Sequence, residues 1–178
     1  LRSRSRELIR NNPLIDGGTD SYIANLIGSG ITPRWQLEDK GLKQDIQQLW
    51  ADWTLQADLY GVVDFYGLQS LIASGMIKAG ERLSRFNYLA MSLLYAVPLQ
   101  LQLLEADHLD HQYNTILNGN QVRMGIEING LGQRVAYHLF KEHPGELYLT
   151  QSFNIDRIPV PAKEITHVFR PLRAGQMR

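Results

Sequence analysis

The first eighty residues place apolar side chains at the spacing of amphipathic helices. Residues 1–10 are predicted to form a helix that stops at Asn11-Asn12-Pro13, because a residue before proline avoids the helical region. Residues 15–31 favour a short helix between glycine breaks at Gly17-Gly18 and Gly28-Ser29-Gly30. An extended segment is expected from Thr32-Pro33 to Leu37.

Two further helices are predicted before residue 80. Asp39 is a suitable N-cap for the first and Asp64 for the second. The apolar face of the first includes two tryptophans and consists of Leu42, Ile46, Leu49, Trp50 and Trp53. The second carries Leu68, Leu71, Ile72 and Met76, and Gly80 is its expected C-terminal stop.

Beyond Gly80 the pattern changes to the period of two that is typical of strands. Residues 82–87 and 99–104 are predicted strands, whereas 89–97 fits either a strand or a loop. The strongest signal lies at about 122–140, where two alternating runs flank Asn129-Gly130, the favoured pair of a type I′ turn. This pattern predicts a β-hairpin, and a last strand is expected at Ile165–Phe169.

The order of helices first and strands later indicates an α+β fold. We expect N-terminal helices packed on a mostly antiparallel sheet that contains the hairpin at about 122–140. The length suits a single domain, 1–178, with a helical region at residues 1–80 and a strand-rich region at residues 81–178. The hydrophobic fraction of 44% and the charged fraction of 20% are those of a folded chain rather than a disordered one.

Composition and charge exclude several kinds of site. Without cysteine the chain has no disulfide, zinc thiolate site or cysteine nucleophile, and a reducing compartment is the natural expectation. No signal peptide is expected, and the apolar stretch 86–104 contains Pro98 and several polar residues, which favours buried strands over a membrane span. The net charge is zero, although both chain ends are basic. Neutrality argues against a dedicated nucleic-acid-binding domain, and the basic ends are expected to be solvated rather than bound to DNA.

Two groups of histidines and carboxylates are candidates for metal binding. The first follows a predicted strand and consists of Glu105, Asp107, His108, Asp110 and His111. Carboxylates and imidazoles can hold a divalent ion, but neighbouring residues point in different directions, so a polar turn is the better interpretation. The second group is His138, Glu142 and His143, whose histidine spacing of five does not match the helical zinc pairing of i, i+4. His167 is expected to be a hydrogen-bonded histidine of a sheet.

Other motifs also favour structural roles. Gly28-Ser29-Gly30 lacks the Gly-Lys-Ser/Thr ending of a phosphate-binding loop, so its glycines are expected to serve unusual backbone conformations. The pairs Trp50/Trp53 and Tyr60/Tyr66 could stack on bases, but beside leucines at helical spacing they favour the core. The sequence therefore predicts no catalytic residue, no cofactor or metal site, and assigns no nucleic-acid-binding residue.

Several strings, in order along the chain, resemble one family, the portal proteins of tailed bacteriophages of the lambda type. They are RSRELIRNNP at 4–13, NLIGSGITP at 25–33, LQLQLLEADHL at 99–109, GIE, GQRVAYHL and HPG within 125–145, and ITHVFRP with AGQ within 165–176. Residues 87–96 are more apolar than the corresponding connection of that family.

The resemblance implies a ring, usually of twelve subunits, at one vertex of the capsid, assembled in the bacterial cytoplasm and present in the virion. Double-stranded DNA passes the central channel, and the packaging motor (terminase), the capsid and head-completion proteins dock to the ring. The portal itself would carry out no catalysis and contact no membrane. This chain would match the outer wing of a longer, partly helical protein, away from the DNA, and Arg6 and Arg10 would serve contacts between subunits.

Two alternatives stay open from the sequence. The first is a prophage head–tail adaptor or assembly protein. The second is a metal-dependent nuclease that uses Asp107, His108 and Asp110.

Overall fold

The computed structural model describes residues 2–91, 94–145 and 156–178, and it has the predicted α+β fold. The chain divides into two compact units. Unit 1 consists of Leu1–Ala79 and Phe86–Leu103, and unit 2 of Gly80–Arg85 and Leu104–Arg178.

The four α-helices among the described residues belong to unit 1. They are α1 (Arg2–Asn11), α2 (Pro13–Ile27), α3 (Lys40–Gln56) and α4 (Phe65–Ala79). The break between α1 and α2 lies where the sequence predicts it, because Pro13 cannot continue the first helix and suits the first turn of the next. The Asn12 side chain caps α2 by accepting hydrogen bonds from the amides of Leu14 and Ile15.

The prediction of a short helix between glycine breaks is wrong at its start. Helix α2 begins at Pro13 and runs through Gly17 and Gly18, since a capped first turn offsets the modest helix cost of two glycines. Its end is set by Gly28, which has a φ of +56° and donates its amide to Ala24 O. Residues 31–37 form neither helix nor strand, in keeping with the expected extended segment.

Both aspartate caps are confirmed. Asp39 accepts hydrogen bonds from Gly41 N at 2.8 Å and Leu42 N at 3.1 Å, and Asp64 accepts one from Gly67 N at 2.7 Å. The predicted apolar face of α3 is buried at its C-terminal end only, since Leu42 and Leu49 are exposed. The core of unit 1 is formed by Trp53, Ala57, Leu68, Leu101 and Leu103.

The strands form two sheets, a division that the sequence pattern does not indicate. The first contains β1 (Glu81–Tyr88), β2 (Leu99–Leu104) and a last strand, β8 (Ile165–Phe169), in the order β2-β1-β8. The second contains, in chain order, β3 (Thr115–Leu117), β4 (Asn120–Arg123), β5 (Ile126–Ile128), β6 (Arg134–Phe140) and β7 (Arg157–Pro161). Strands β3 and β7 have no counterpart among the predicted elements. Residues 92 and 93 lie outside the described residues, and the described positions of 89–97 form no strand.

The predicted hairpin exists as β5 and β6, but its turns differ from the expected ones. The alternating run 122–128 is broken at Met124-Gly125, which have φ values of +49° and +78° and connect β4 to β5. Asn129-Gly130 does not form a type I′ turn, because Gly130 is not among the residues with positive φ. Instead residues 129–133 form a longer loop, in which the Asn129 side chain accepts from Leu131 N and Gln133 N.

The core of unit 2 is buried between short strands. Its fully buried members include Leu83, Leu109, Ile126, Leu139 and Val160. None of the helices among the described residues is long and apolar enough to cross a membrane.

Candidate functional site

The first predicted group of polar residues separates after β2. Asp110 is buried and pairs with Arg157 at 3.1 Å, while its other oxygen accepts a hydrogen bond from Gln112 N. His111 is exposed. These two residues therefore diverge from the others, as the change of side-chain direction along a turn predicts.

Two members of the first group meet one member of the second. Among the described residues, one group of three has ligand-type atoms within 4.8 Å of one another, and it consists of Glu105, Asp107 and His143. Glu142 is exposed, and His138 lies in β6 with a different partner. The predicted nuclease set of Asp107, His108 and Asp110 contributes only Asp107 to this group.

The contacts of His143 fit a hydrogen-bonded polar turn better than a metal ligand. Its Nδ1 accepts a hydrogen bond from Gly145 N at 3.0 Å, so the neutral ring carries its proton on Nε2. That Nε2 lies 3.6 Å from Glu105, whose other oxygen lies 3.6 Å from Arg82. A histidine that binds a metal normally donates its second ring N–H, whereas here the second nitrogen accepts. The arrangement thus favours the polar turn over a metal centre.

His108 adds an electrostatic feature to this turn. It lies in a 3₁₀ helix, Ala106–His108, and its ring centroid is 5.1 Å from that of His143. Burial lowers the pKa of His108 below its ordinary value, and the positive charge that the neighbouring His143 carries when protonated lowers it further. The imidazole of His108 is therefore held in its neutral form.

A second polar site is enclosed within unit 2. His138 Nε2 lies 3.1 Å from Glu127 in β5, and Glu127 also accepts from Asn120 Nδ2 at 2.7 Å. The Tyr113 ring packs edge-on against His138, with centroids 4.9 Å apart. Sequence reasoning missed Glu127, because alternation placed it on the polar side of the hairpin, whereas all of β5 is buried. Buried ionisable groups need such partners, so this pair supports the fold.

The third polar site is centred on His167 in β8. Its side chain is 1% exposed and lies 2.9 Å from Glu81, as expected for a hydrogen-bonded sheet histidine. The sequence pattern does not indicate that the other members of this site, Arg134 and Arg178, belong to it.

The glycine and aromatic motifs have structural roles. Gly30 has a φ of +78°, and a side chain there would collide with the Tyr66 ring. Trp50, Trp53 and Phe65 form an aromatic cluster with centroids 5.1–5.3 Å apart, and Trp53 Nε1 donates to Leu99 O at 2.7 Å. The expected core position is confirmed for Trp53 and is wrong for Tyr60, which is 59% exposed and accepts from Gln102.

The polar sites of the described residues thus consist of ion pairs and hydrogen bonds that support strands and turns. The chain belongs to the lambda family of phage portal proteins, since the model of the family described as "Phage portal protein, lambda family" matches residues 1–178. It is also 30% identical, over 192 aligned residues, to the "Probable portal protein" of Halomonas phage phiHAP-1. That alignment covers 100% of this chain and 36% of the relative, so the chain spans about a third of the relative's length.

Proposed function

We propose that this chain is the outer wing region of a longer portal subunit, which forms a ring at one vertex of a phage capsid. The observation that carries the proposal is the family match over residues 1–178. DNA would pass the ring during packaging and ejection, and the packaging motor and head-completion proteins would dock to it. The portal itself would be structural, with ATP hydrolysed by the motor.

The wing assignment is supported by the character of the described residues. Several of their buried polar groups pair with one another, as in Glu127–His138 and Asp110–Arg157. A ring wedge needs a stable shape and lateral surfaces rather than a reactive pocket. The chain would therefore supply shape and contacts between subunits, without touching the DNA.

The basic helix α1 is the proposed site of some of those contacts. Arg10 is exposed in its last turn and Arg6 is half-buried. Arginine is enriched in the cores of protein interfaces because its planar head group makes several hydrogen bonds while its stem packs. Arg10 is the better placed of the two, since its side chain is open to a neighbouring subunit.

Electron microscopy of the purified full-length protein tests the proposed function. We expect closed rings with a central channel. A protein that stays monomeric or dimeric at micromolar concentration contradicts the proposal. Native mass spectrometry of Arg10→Ser, with the wild type alongside, then tests the role of α1: fewer complete rings are expected, and an unchanged distribution excludes Arg10 from the contact.

The nuclease alternative has weaker support. Asp107 lies near Glu105 and His143, but Asp110 is engaged by Arg157 and His143 Nδ1 is an acceptor. Metal analysis of the purified protein together with a nuclease assay separates the two functions. Stoichiometric tight metal and DNA cleavage would favour the enzyme.

A further inference from the structure

A buried polar network joins the beginning of β1 to the last residue of the sequence. Glu81 is the first residue of β1, and its carboxylate contacts both His167 in β8 and the guanidinium of Arg178. The side chains of Glu81, His167 and Arg178 are 8%, 1% and 9% exposed. Ionisable groups so deeply buried are stable only when each is paired. The network therefore depends on every one of its members.

The geometry fixes the direction of the hydrogen bonds. Arg134 Nη1 lies 3.5 Å from His167 Nδ1, and a guanidinium can only donate, so Nδ1 accepts. His167 Nε2 then carries the proton and donates it to Glu81 Oε2 at 2.9 Å. The order is guanidinium, imidazole, carboxylate and second guanidinium.

The same arginine holds the segment that follows β8. Arg134 Nη2 donates to Met177 O at 2.8 Å, while its Nη1 donates to Tyr137 OH at 2.8 Å. The Met177 side chain packs against the core of unit 2. Residues 170–178, here called the exit segment, form neither helix nor strand, and residues 170–175 are exposed. Its attachment to β6 and β1 thus lies at Met177 and Arg178.

The charges explain why the carboxylate is central. Burial alone raises the pKa of Glu81, but the hydrogen bond from His167 and the charge and hydrogen bond of Arg178 outweigh burial and hold the pKa below its ordinary value. Glu81 is therefore ionised at neutral pH and neutralises one of the two guanidinium groups of the network. A neutral side chain of the same size would leave the buried guanidinium of Arg178 without its counter-charge.

We propose that Glu81, Arg134, His167 and Arg178 form a latch, a conformational device that holds the exit segment on strands β1, β6 and β8 of unit 2 and can open without unfolding those strands. The latch fixes the position of residues 177 and 178 beside β6 and β1. Its one carboxylate belongs to Glu81 in β1, the strand with which unit 2 begins. The proposal does not depend on ring formation or on any portal function.

Hydrogen–deuterium exchange on the full-length protein, read by mass spectrometry, tests the latch. The variants are Glu81→Gln, which keeps size and removes charge, and Arg134→Lys, which keeps charge and loses the forked geometry. Glu164→Gln is the matched control, because it breaks the 3.4 Å Arg85–Glu164 ion pair of the same unit and leaves the latch intact. In both latch variants we expect exchange in the exit segment to rise by about tenfold or more, since a charged hydrogen bond is lost there. Amides of β5 and β6 should keep their protection.

Each of the three possible exchange patterns either supports or overturns the latch. Faster exchange confined to the exit segment in Glu81→Gln and Arg134→Lys, and absent in Glu164→Gln, supports the latch. Unchanged exchange in the exit segment overturns it. Loss of protection across β5 and β6 as well also overturns it, because the network would then belong to the core rather than to a device that opens.

Discussion

At the scale of single residues, the main chain at Gly125 passes too close to Asp110 for any side chain. A methyl group built on Gly125 would lie 2.6 Å from Asp110 O, and the residue has a φ of +78°. We expect Gly125→Ala to lower the free energy of unfolding by about 2 to 4 kcal/mol, from backbone strain together with overpacking. Chemical denaturation followed by circular dichroism measures the loss.

The matched control for Gly125 is the glycine of the neighbouring loop. Gly130 has no atom within 4 Å of a built methyl group and is not among the residues with positive φ. Gly130→Ala should therefore change the free energy of unfolding by no more than about 0.5 kcal/mol. Equal losses in the two variants would show that the Asp110 contact is not the cause.

The turn residues also show what local sequence decides. The chain contains two Asn-Gly pairs, and the more conspicuous one, Asn129-Gly130, does not form the expected tight turn. Asn118-Gly119 does, with φ values of +49° and +83° and Leu117 paired with Asn120. Its flanking strands are three and four residues long, too short to show an alternating pattern. The turn propensity of an Asn-Gly pair can be recognised in the sequence, but the short strands that flank the tight turn cannot.

His108 makes the stability of the molecule depend on pH at a single side chain. Its pKa is lowered in the folded state, first by burial and then by His143. Between that lowered pKa and the ordinary value of 6.5 the unfolded chain binds the proton and the folded chain does not, so stability falls as the pH drops through this window. Denaturation midpoints between about pH 5 and pH 7 should therefore vary less in His108→Asn than in the wild type. An equal pH dependence in both proteins would contradict the role of His108.

At the scale of elements, the stability of the helices depends on the capping hydrogen bonds of their first turns. Asp39 accepts hydrogen bonds from two amides at the start of α3, and the apolar face of that helix is only partly buried. Asp39→Ala should therefore cost about 1 kcal/mol of unfolding free energy, whereas Asp39→Asn keeps the acceptor and should be nearly neutral. Urea denaturation monitored by tryptophan fluorescence is suitable, because Trp50 and Trp53 lie in the same helix. A loss as large in the asparagine variant would assign the effect to charge instead of capping.

The helices were predictable and two strands were not, for a physical reason. Proline, a capping side chain and apolar spacing act within one turn, so α1, α3 and α4 follow from local sequence. Strand β7 contains Pro159 and Pro161, and among the described residues it pairs with β6 alone, at the edge of its sheet. Proline is tolerated at an edge, but its presence in a sequence argues against a strand. Pairing with β6 decides this element, and a partner in the fold is not visible in the local pattern.

The candidate sites likewise depend on partners that are distant in sequence and therefore not visible in the local pattern. The sequence placed Glu105 and His143 in two separate groups, and the fold brings the two side chains to 3.6 Å. It also joins Glu81 to Arg178 across nearly the full length of unit 2. Residue types and spacing could indicate that these groups are polar and paired. The identity of each partner depends on strand order, which the sequence pattern does not specify.

At the scale of the whole molecule, each unit contains its own buried core, with Trp53 and Leu68 in one and Ile126 and Leu139 in the other. The internal sources of stability are therefore present within residues 1–178. The proposed ring would need lateral surfaces beyond those of this chain, which spans 36% of the length of the relative from phage phiHAP-1. Stable interfaces between proteins bury about 1,200 to 2,000 Å², and a third of a subunit would offer only a fraction of such an area.

Folding and ring formation should consequently be separable in this protein. We expect the isolated chain to be folded and monomeric or weakly associated, and the full-length protein to form rings at the same concentration. Light scattering coupled to gel filtration measures both masses, and circular dichroism checks that the isolated chain is folded. A stable twelve-fold ring formed by residues 1–178 alone would contradict the expectation and would mean that the wing carries the assembly contacts. A folded monomer beside a full-length ring would assign the decisive contacts to the rest of the subunit, with α1 and Arg10 in a supporting role.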